Sequence, residues 1–181
     1  VVIVISDLHL GGGAADKGDD HVFDQQQLAG FIDSLRASDD GQAGRIELYI
    51  NGDFLEFAQV GQHLYTLRSA DAWCSEGESR AKLKLILDGH PEVFAALKAF
   101  SAAGNRVTLA AGNHDVDLFW EGVQADLRAA AGPIDFVLGA DWTSRFDGRL
   151  RIAHGHQHDL ANQFRHWAHP FVSGPGGEQR L

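Results

Sequence analysis

The chain has 181 residues, of which 44% are hydrophobic and 22% charged, and its formal net charge is −10. No apolar run approaches the ~20 residues of a membrane-spanning helix, and the single cysteine, Cys74, excludes an internal disulfide or a Cys-rich zinc site. The acidic charge disfavours a basic nucleic-acid groove, although bound cations would let an acidic protein handle phosphates. We therefore expect one cytoplasmic domain over 1–181, with peripheral membrane contact as an alternative.

The first half of the chain alternates strands and helices. Residues 1–5 are a continuous β-branched run, which predicts a fully buried strand. A polar loop over 11–20 follows, and Asp-Asp-Gly chemistry within 38–44 ends the first predicted helix. Residues 54–78 have no clear pattern, and we expect a lid or helical insertion within 54–104. The further elements predicted here are helices over 22–37, 79–88 and 91–103, and a strand over 46–51.

The second half ends in consecutive strands. A strand over 106–111 and a helix over 117–131 are followed by strand-like runs at 134–138, 142–147 and 149–153, with Gly148 as a hairpin turn. This order predicts a layered α/β domain with a mixed sheet or two packed sheets. The chain has no methionine and begins within a strand, so we expect it to be clipped at both ends or to lack segments.

Polar groups follow four of the predicted strands. Asp7-Leu8-His9 follows the first, Gly52-Asp53 the second, Gly112-Asn113-His114-Asp115 the third and His154-Gly155-His156 the last. Ligands of α/β sheets gather at the carboxyl ends of strands, so these groups are expected to meet at one edge. Each motif alone is weak and is also typical of a turn or loop. Their ordered conjunction indicates a functional site.

The residue types suit a metal site. Asp7 and His9 are two apart, so an extended backbone would point both side chains the same way. Asp53 follows a glycine that permits a sharp turn, and its two oxygens could each reach a cation. Nitrogen and oxygen ligands without thiolate suit Mn²⁺, Fe, Zn²⁺, Co²⁺ or Ni²⁺. Glu56 is expected to support the site rather than bind metal, and His63 and His90 are expected at the surface.

Together these motifs, from Asp7 to about residue 159, resemble the calcineurin-like metallophosphoesterase superfamily. The resemblance implies a four-layer α-β-β-α sandwich with mixed sheets, incomplete here at its C-terminus, and two divalent metal ions, Mn²⁺ being favoured. It implies that Asp7 and His9 bind the first metal, that Asp53 bridges both, and that Asn113 and His154 bind the second. It further implies that His114 faces the phosphate and that Asp115 orients His114.

The segment 6–11 is most similar to the branch that contains UDP-2,3-diacylglucosamine pyrophosphatases. That branch usually has arginine at the position of His114, which puts its substrate in doubt. The superfamily also ends its site with a later Gly-His-x-His motif. Here the match is Gly155-His156-Gln157-His158, directly after His154. We favour a true motif beyond residue 181 or omitted, with His156 near the phosphate and His158 structural; the alternative makes His156 and His158 the final ligands.

The function that the resemblance implies is hydrolysis of a phosphodiester, phosphomonoester or pyrophosphate bond by a metal-activated hydroxide, with His114 as the catalytic acid. The expected substrate is a small-molecule or lipid-linked phosphate ester. The alternatives are a non-catalytic binding or scaffold module on the same fold, or a nuclease, which the acidic charge disfavours. The sequence does not indicate the oligomeric state.

Overall fold

A four-stranded parallel sheet forms the centre of the protein. The structure is a computed structural model that describes residues 1–15, 20–21, 24–61, 75–174 and 176–181. Within these ranges the sheet has the order β1-β2-β3-β4, and β5–β6 and β7–β8 form separate antiparallel pairs rather than joining a mixed sheet. The strands are β1 Val2–Ile5, β2 Glu47–Asn51, β3 Arg106–Ala110, β4 Asp135–Val137, β5 Thr143–Arg145, β6 Leu150–Ile152, β7 Val172–Ser173 and β8 Gln179–Arg180.

In the described part of the chain five α-helices connect these strands, and their ends follow local capping rules. Helix α3 begins three residues earlier than predicted, because Ser75 and Glu78 form a capping box. Helix α4 has Pro91 in its first turn, as its sequence predicts. The helices are α1 Gln25–Ala37, α2 Asp39–Gln42, α3 Glu76–Gly89, α4 Pro91–Ala102 and α5 Glu121–Ala131.

The two faces of the parallel sheet carry different layers. Leu48, Ile50 and Leu109 belong to the main core, together with the buried faces of the helices. The next residue along β2, Tyr49, points to the opposite face and forms a 2.8 Å hydrogen bond with Thr143 of β5. On the same face, Glu47 accepts hydrogen bonds from Arg145. The β5–β6 hairpin thus packs against the face of the parallel sheet opposite the helices.

The break predicted at 38–44 is confirmed, since α1 ends at Ala37, and the short helix α2 lies within the break. Two other sequence predictions are corrected by the structure. Strand β1 is not fully buried, because it lies at the sheet edge and Val4 is 43% exposed. The helix predicted over 117–131 is interrupted at Trp120, which is extended and separates a 3₁₀ turn, Val116–Phe119, from α5.

The predicted lid region, 54–104, is only partly described, since 62–74 lie outside the described residues. Its described helices, α3 and α4, contribute Leu83, Ile86, Val93 and Leu97 to the main core. None of the helices in the described ranges is both long and apolar enough to cross a lipid bilayer.

Candidate metal centre

The first two motifs run side by side beyond the ends of β1 and β2. The backbone N–H of Asp7 donates to the Gly52 carbonyl at 3.1 Å, and that of His9 donates to the Asp53 carbonyl at 2.9 Å. Leu10 and Leu55 then form an isolated parallel bridge. These hydrogen bonds continue the parallel pairing past the sheet, so the Asp7, His9 and Asp53 side chains share one edge.

These three residues all have a left-handed backbone conformation. The φ angles are +57° at Asp7, +48° at His9 and +51° at Asp53. The extended backbone predicted for Asp7 and His9 is therefore wrong. Non-glycine residues rarely adopt positive φ, and such strain concentrates at functional sites. The surrounding hydrogen bonds hold this conformation in place.

Asp115 connects the third motif to the second through hydrogen bonds. Its fully buried carboxylate accepts hydrogen bonds from the backbone N–H groups of Gly112, Phe54 and Leu55, at 3.0, 3.3 and 2.7 Å. The backbone N–H of His114 donates to Asp53 Oδ1 at 2.9 Å. A Cβ atom on Gly112 would lie 2.5 Å from the Asp53 nitrogen, so glycine is needed for this close approach.

The fourth motif is held by Asn51, the last residue of β2. The Asn51 side-chain amide donates to the Ala153 carbonyl at 3.1 Å, and its own carbonyl accepts from His154 Nδ1 at 2.9 Å. Because a carbonyl only accepts, Nδ1 of His154 carries the proton. Its Nε2 atom is thereby turned towards the other motifs.

The Nε2 atom of His154 faces two oxygen atoms. It lies 3.2 Å from Asp53 Oδ2 and 3.3 Å from Asn113 Oδ1. Asp7, Asp53 and His154 also form a group whose ligand atoms lie within 4.8 Å of one another. With Nδ1 already a donor, this convergence of Nε2 on two acceptors requires a second proton on the imidazole or a cation among the three atoms.

A second group contains His9, Asp53 and His114, again with ligand atoms within 4.8 Å. Both histidines are fixed by one fully buried carboxylate, Glu56. Its two oxygens lie 2.7 Å from His9 Nδ1 and 2.8 Å from His114 Nδ1. A carboxylate that accepts from Nδ1 leaves Nε2 available to bind metal or substrate, and His9 Nε2 lies 3.8 Å from Asp53 Oδ2.

The structure thus brings all five predicted metal ligands to one edge of the sheet, with Asp53 common to both groups. The geometric grouping differs from the predicted one, because Asp7 lies with His154 and His9 lies with His114. The orienting contact assigned to Asp115 is also corrected. The hydrogen bond to the His114 ring comes from Glu56, whereas Asp115 braces the backbone. The only sequence signal for this role of Glu56 is that Glu56 lies three residues after Asp53.

His156 and His158, the two histidines considered as alternative ligands, lie on the 3₁₀ turn His156–His158 rather than on the end of β6. His156 is buried, with its ring 4.4 Å from that of Trp167 and 5.3 Å from that of His154. His158 is exposed. Neither belongs to a candidate ligand group among the described residues. Whether either contacts substrate or metal stays a prediction.

The electrostatics of the centre favour charged histidines when cations are lacking. Its hydrogen bond to Glu56 raises the pKa of His114 despite partial burial. Burial lowers the pKa of His154, but the hydrogen bonds to Asp53 and to the Asn51 carbonyl and the nearby carboxylate charges together outweigh burial, so the net shift is upward. Burial raises the pKa of Asp115 to about 7, against the lowering effect of its backbone hydrogen bonds. The pKa values of Asp53 and Glu56 are lowered, because their histidine partners outweigh the effect of burial.

These shifts predict how the stability of the metal-free protein depends on pH. His114, His154 and Asp115 have raised pKa values, so the folded state binds more protons than the unfolded state near neutrality. Their stabilising effect is lost as pH rises through the folded-state pKa values. In chelator, the free energy of unfolding by urea should therefore fall between pH 6 and pH 8. Saturating Mn²⁺ should reduce this decline, because it displaces the proton from His154, a predicted ligand, and a stability that rises with pH in chelator would contradict the assigned contacts.

Comparisons with models of known protein families and with curated proteins found no match to this chain. The resemblance to metallophosphoesterases therefore depends on the motifs themselves, and the function that they imply is a proposal.

Proposed function

We propose that the chain is a metal-dependent phosphoesterase that hydrolyses a phosphodiester, phosphomonoester or pyrophosphate bond. The observation that carries the proposal is the sharing of Asp53 by two candidate ligand groups at one sheet edge. Four motifs that are remote in sequence converge there, in the order that the metallophosphoesterase resemblance requires. Asp7, His9, Asp53, Asn113 and His154 would hold two divalent cations, with Mn²⁺ favoured.

The donor set fits such cations. It consists of carboxylate, amide and imidazole groups, which suit Mn²⁺ and similar ions. His154 Nε2, Asp53 Oδ2 and Asn113 Oδ1 are three atoms with lone pairs that lie close together. A cation bound among them would be coordinated by all three. When bound, two such metals acidify water and neutralise charge on the phosphoryl oxygens. A chain with a formal net charge of −10 needs such positive charge to bind a phosphate.

His114 is the proposed proton donor to the leaving oxygen. Glu56 holds its Nδ1 atom at 2.8 Å, which fixes the ring and leaves Nε2 to face the substrate. The same contact raises the pKa of His114, so that the imidazole is more fully protonated near neutral pH. Asp115 keeps the 112–115 loop in place through backbone hydrogen bonds.

The four-layer sandwich and the substrate class belong to the same proposal. The β5–β6 hairpin, packed on the face of the parallel sheet opposite the helices, supports a second sheet layer. A small or lipid-linked phosphate ester is favoured over nucleic acid because of the acidic charge. A non-catalytic binding module is disfavoured, because the ligand set and the Glu56–His114 pair are both retained.

Hydrolysis of model esters tests the proposal. Protein loaded with Mn²⁺ should cleave bis-p-nitrophenyl phosphate or p-nitrophenyl phosphate, and the ratio of the two rates would separate diesterase from monoesterase activity. Chelator should abolish the activity, and added Mn²⁺ should restore it. Binding of Mn²⁺ without hydrolysis of either ester or of a pyrophosphate would instead support a binding module.

Replacing His114 with alanine separates its two potential roles, since the geometry also places it beside His9 and Asp53. If His114 is a proton donor, His114→Ala should lower kcat by about 10²–10⁴-fold while the Mn²⁺ content stays unchanged. His9→Ala should lose Mn²⁺ in the same assay and serves as the contrast. Loss of Mn²⁺ from the His114→Ala protein would show that His114 is a ligand.

A further inference from the structure

His21 is an exposed histidine beside the candidate metal centre that the proposed mechanism leaves unused. Its ring centroid lies 4.8 Å from that of His9, and its backbone N–H donates to the His9 carbonyl at 3.2 Å. His9 is only 13% exposed at its side chain. His21 therefore lies on the solvent side of a ring that is proposed to hold a metal.

The residue before His21 is anchored in the interior. Asp20 and His90 are 8% and 1% exposed, and Asp20 Oδ2 lies 3.1 Å from His90 Nε2. Asp20 Oδ1 also accepts from the Gly11 backbone N–H at 3.4 Å. His90 was expected at the surface, and this burial corrects that expectation; His63 lies outside the described residues. A buried polar pair at the α3–α4 junction thus fixes the chain next to His21.

The start of the same loop is also held against α3. A Cβ atom on Gly13, whose φ is +63°, would lie 2.6 Å from the Gly89 carbonyl oxygen. The loop therefore meets the end of α3 at Gly13 and the start of α4 at Asp20. Of these two contacts, the one at Asp20 is adjacent to His21 and gives its position a structural cause.

His21 is not a member of either candidate ligand group among the described residues. Because it is exposed and its ring lies beside that of His9, its imidazole can offer an N–H donor to a substrate bound at the centre. The centre is rich in carboxylates, so phosphate oxygens need such donors as well as cations. We propose that His21 donates a hydrogen bond to a phosphate oxygen of the substrate, and that the Asp20–His90 pair positions it. This inference rests on the proposed function.

Binding of inorganic phosphate tests the role of His21 directly. Isothermal titration of the Mn²⁺-loaded protein should give a phosphate Kd about 10- to 100-fold weaker for His21→Ala than for the wild type, the size expected for one hydrogen bond to a charged group. His21→Gln, which keeps an N–H donor, should recover part of the affinity. The Kd for Mn²⁺ itself should not change, since His21 is not a ligand.

His169→Gln is a matched control at another exposed histidine and should leave phosphate binding unchanged. An unchanged phosphate Kd in His21→Ala, with an active wild type, would overturn this inference alone. A wild type that binds Mn²⁺ but neither binds phosphate nor hydrolyses esters would overturn the proposed function as well. Weakened Mn²⁺ binding in His21→Ala would overturn the assignment to substrate.

A double-mutant cycle tests the positioning by Asp20. Asp20→Asn preserves shape but removes one of the two carboxylate acceptors, so phosphate affinity should fall in the wild-type background. In the His21→Ala background the same change should have little further effect. Equal losses in both backgrounds would show that Asp20 acts independently of His21 and would contradict the positioning role.

Discussion

Replacing Asp53 with asparagine should remove metal binding and hydrolysis together. The carboxylate is common to both candidate ligand groups, and its Oδ2 atom faces His154 and His9. Asparagine retains an oxygen that can accept from the His114 backbone N–H but loses the charge that would hold two cations. The loss in Mn²⁺ affinity should exceed the roughly 10- to 100-fold that follows from removing a ligand's hydrogen-bond partner.

Asp53→Ala should give the same loss of function with an added cost in stability. The His114 backbone N–H loses its acceptor at a site where Asp53 is 4% exposed, which costs about 1–3 kcal/mol in unfolding free energy. Asp135→Asn, which removes an exposed carboxylate paired with Arg106, is the matched control and should keep full activity. Full hydrolysis by either Asp53 variant would contradict the proposed function.

Replacing Glu56 with glutamine should weaken metal binding without removing a ligand. One carboxylate now accepts from Nδ1 of both His9 and His114, and glutamine offers only one oxygen acceptor for two donors. One histidine must lose its hydrogen bond or change tautomer, so Mn²⁺ affinity should fall about 10- to 100-fold. Titration calorimetry with Mn²⁺ measures this effect.

The same variant should change the pH profile of the reaction. Glu56 raises the pKa of His114, so its removal should lower that pKa and move the alkaline limb of the rate profile to lower pH. Glu47→Gln is the control, because Glu47 is a partly buried carboxylate that bonds Arg145 on the hairpin face. Wild-type Mn²⁺ affinity and an unshifted profile in Glu56→Gln would exclude the double histidine contact.

The edge where the site forms could be predicted from the sequence, but its local geometry could not. Apolar strand-like runs followed by polar motifs place Asp7, Asp53 and Asn113 at the ends of parallel strands, and the structure confirms their convergence. The left-handed backbone at Asp7 and Asp53 cannot be predicted from strand periodicity. It follows from hydrogen bonds between two loops that are more than forty residues apart.

The supporting carboxylates were the least predictable part. Glu56 and Asp115 are both acidic residues near the motifs, and chain position alone does not show which one turns towards an imidazole and which towards backbone N–H groups. That choice depends on how the 53–56 and 112–115 loops pack against each other. The burial of His90 has a similar cause, since its partner Asp20 comes from a distant loop.

Electron paramagnetic resonance of the Mn²⁺-loaded protein shows whether Asp53 joins two metal sites. Two Mn²⁺ ions that share a carboxylate should give an exchange-coupled spectrum, which Asp53→Asn should abolish. Failure to bind Mn²⁺, or a spectrum of isolated ions only, would exclude a two-metal centre joined by Asp53.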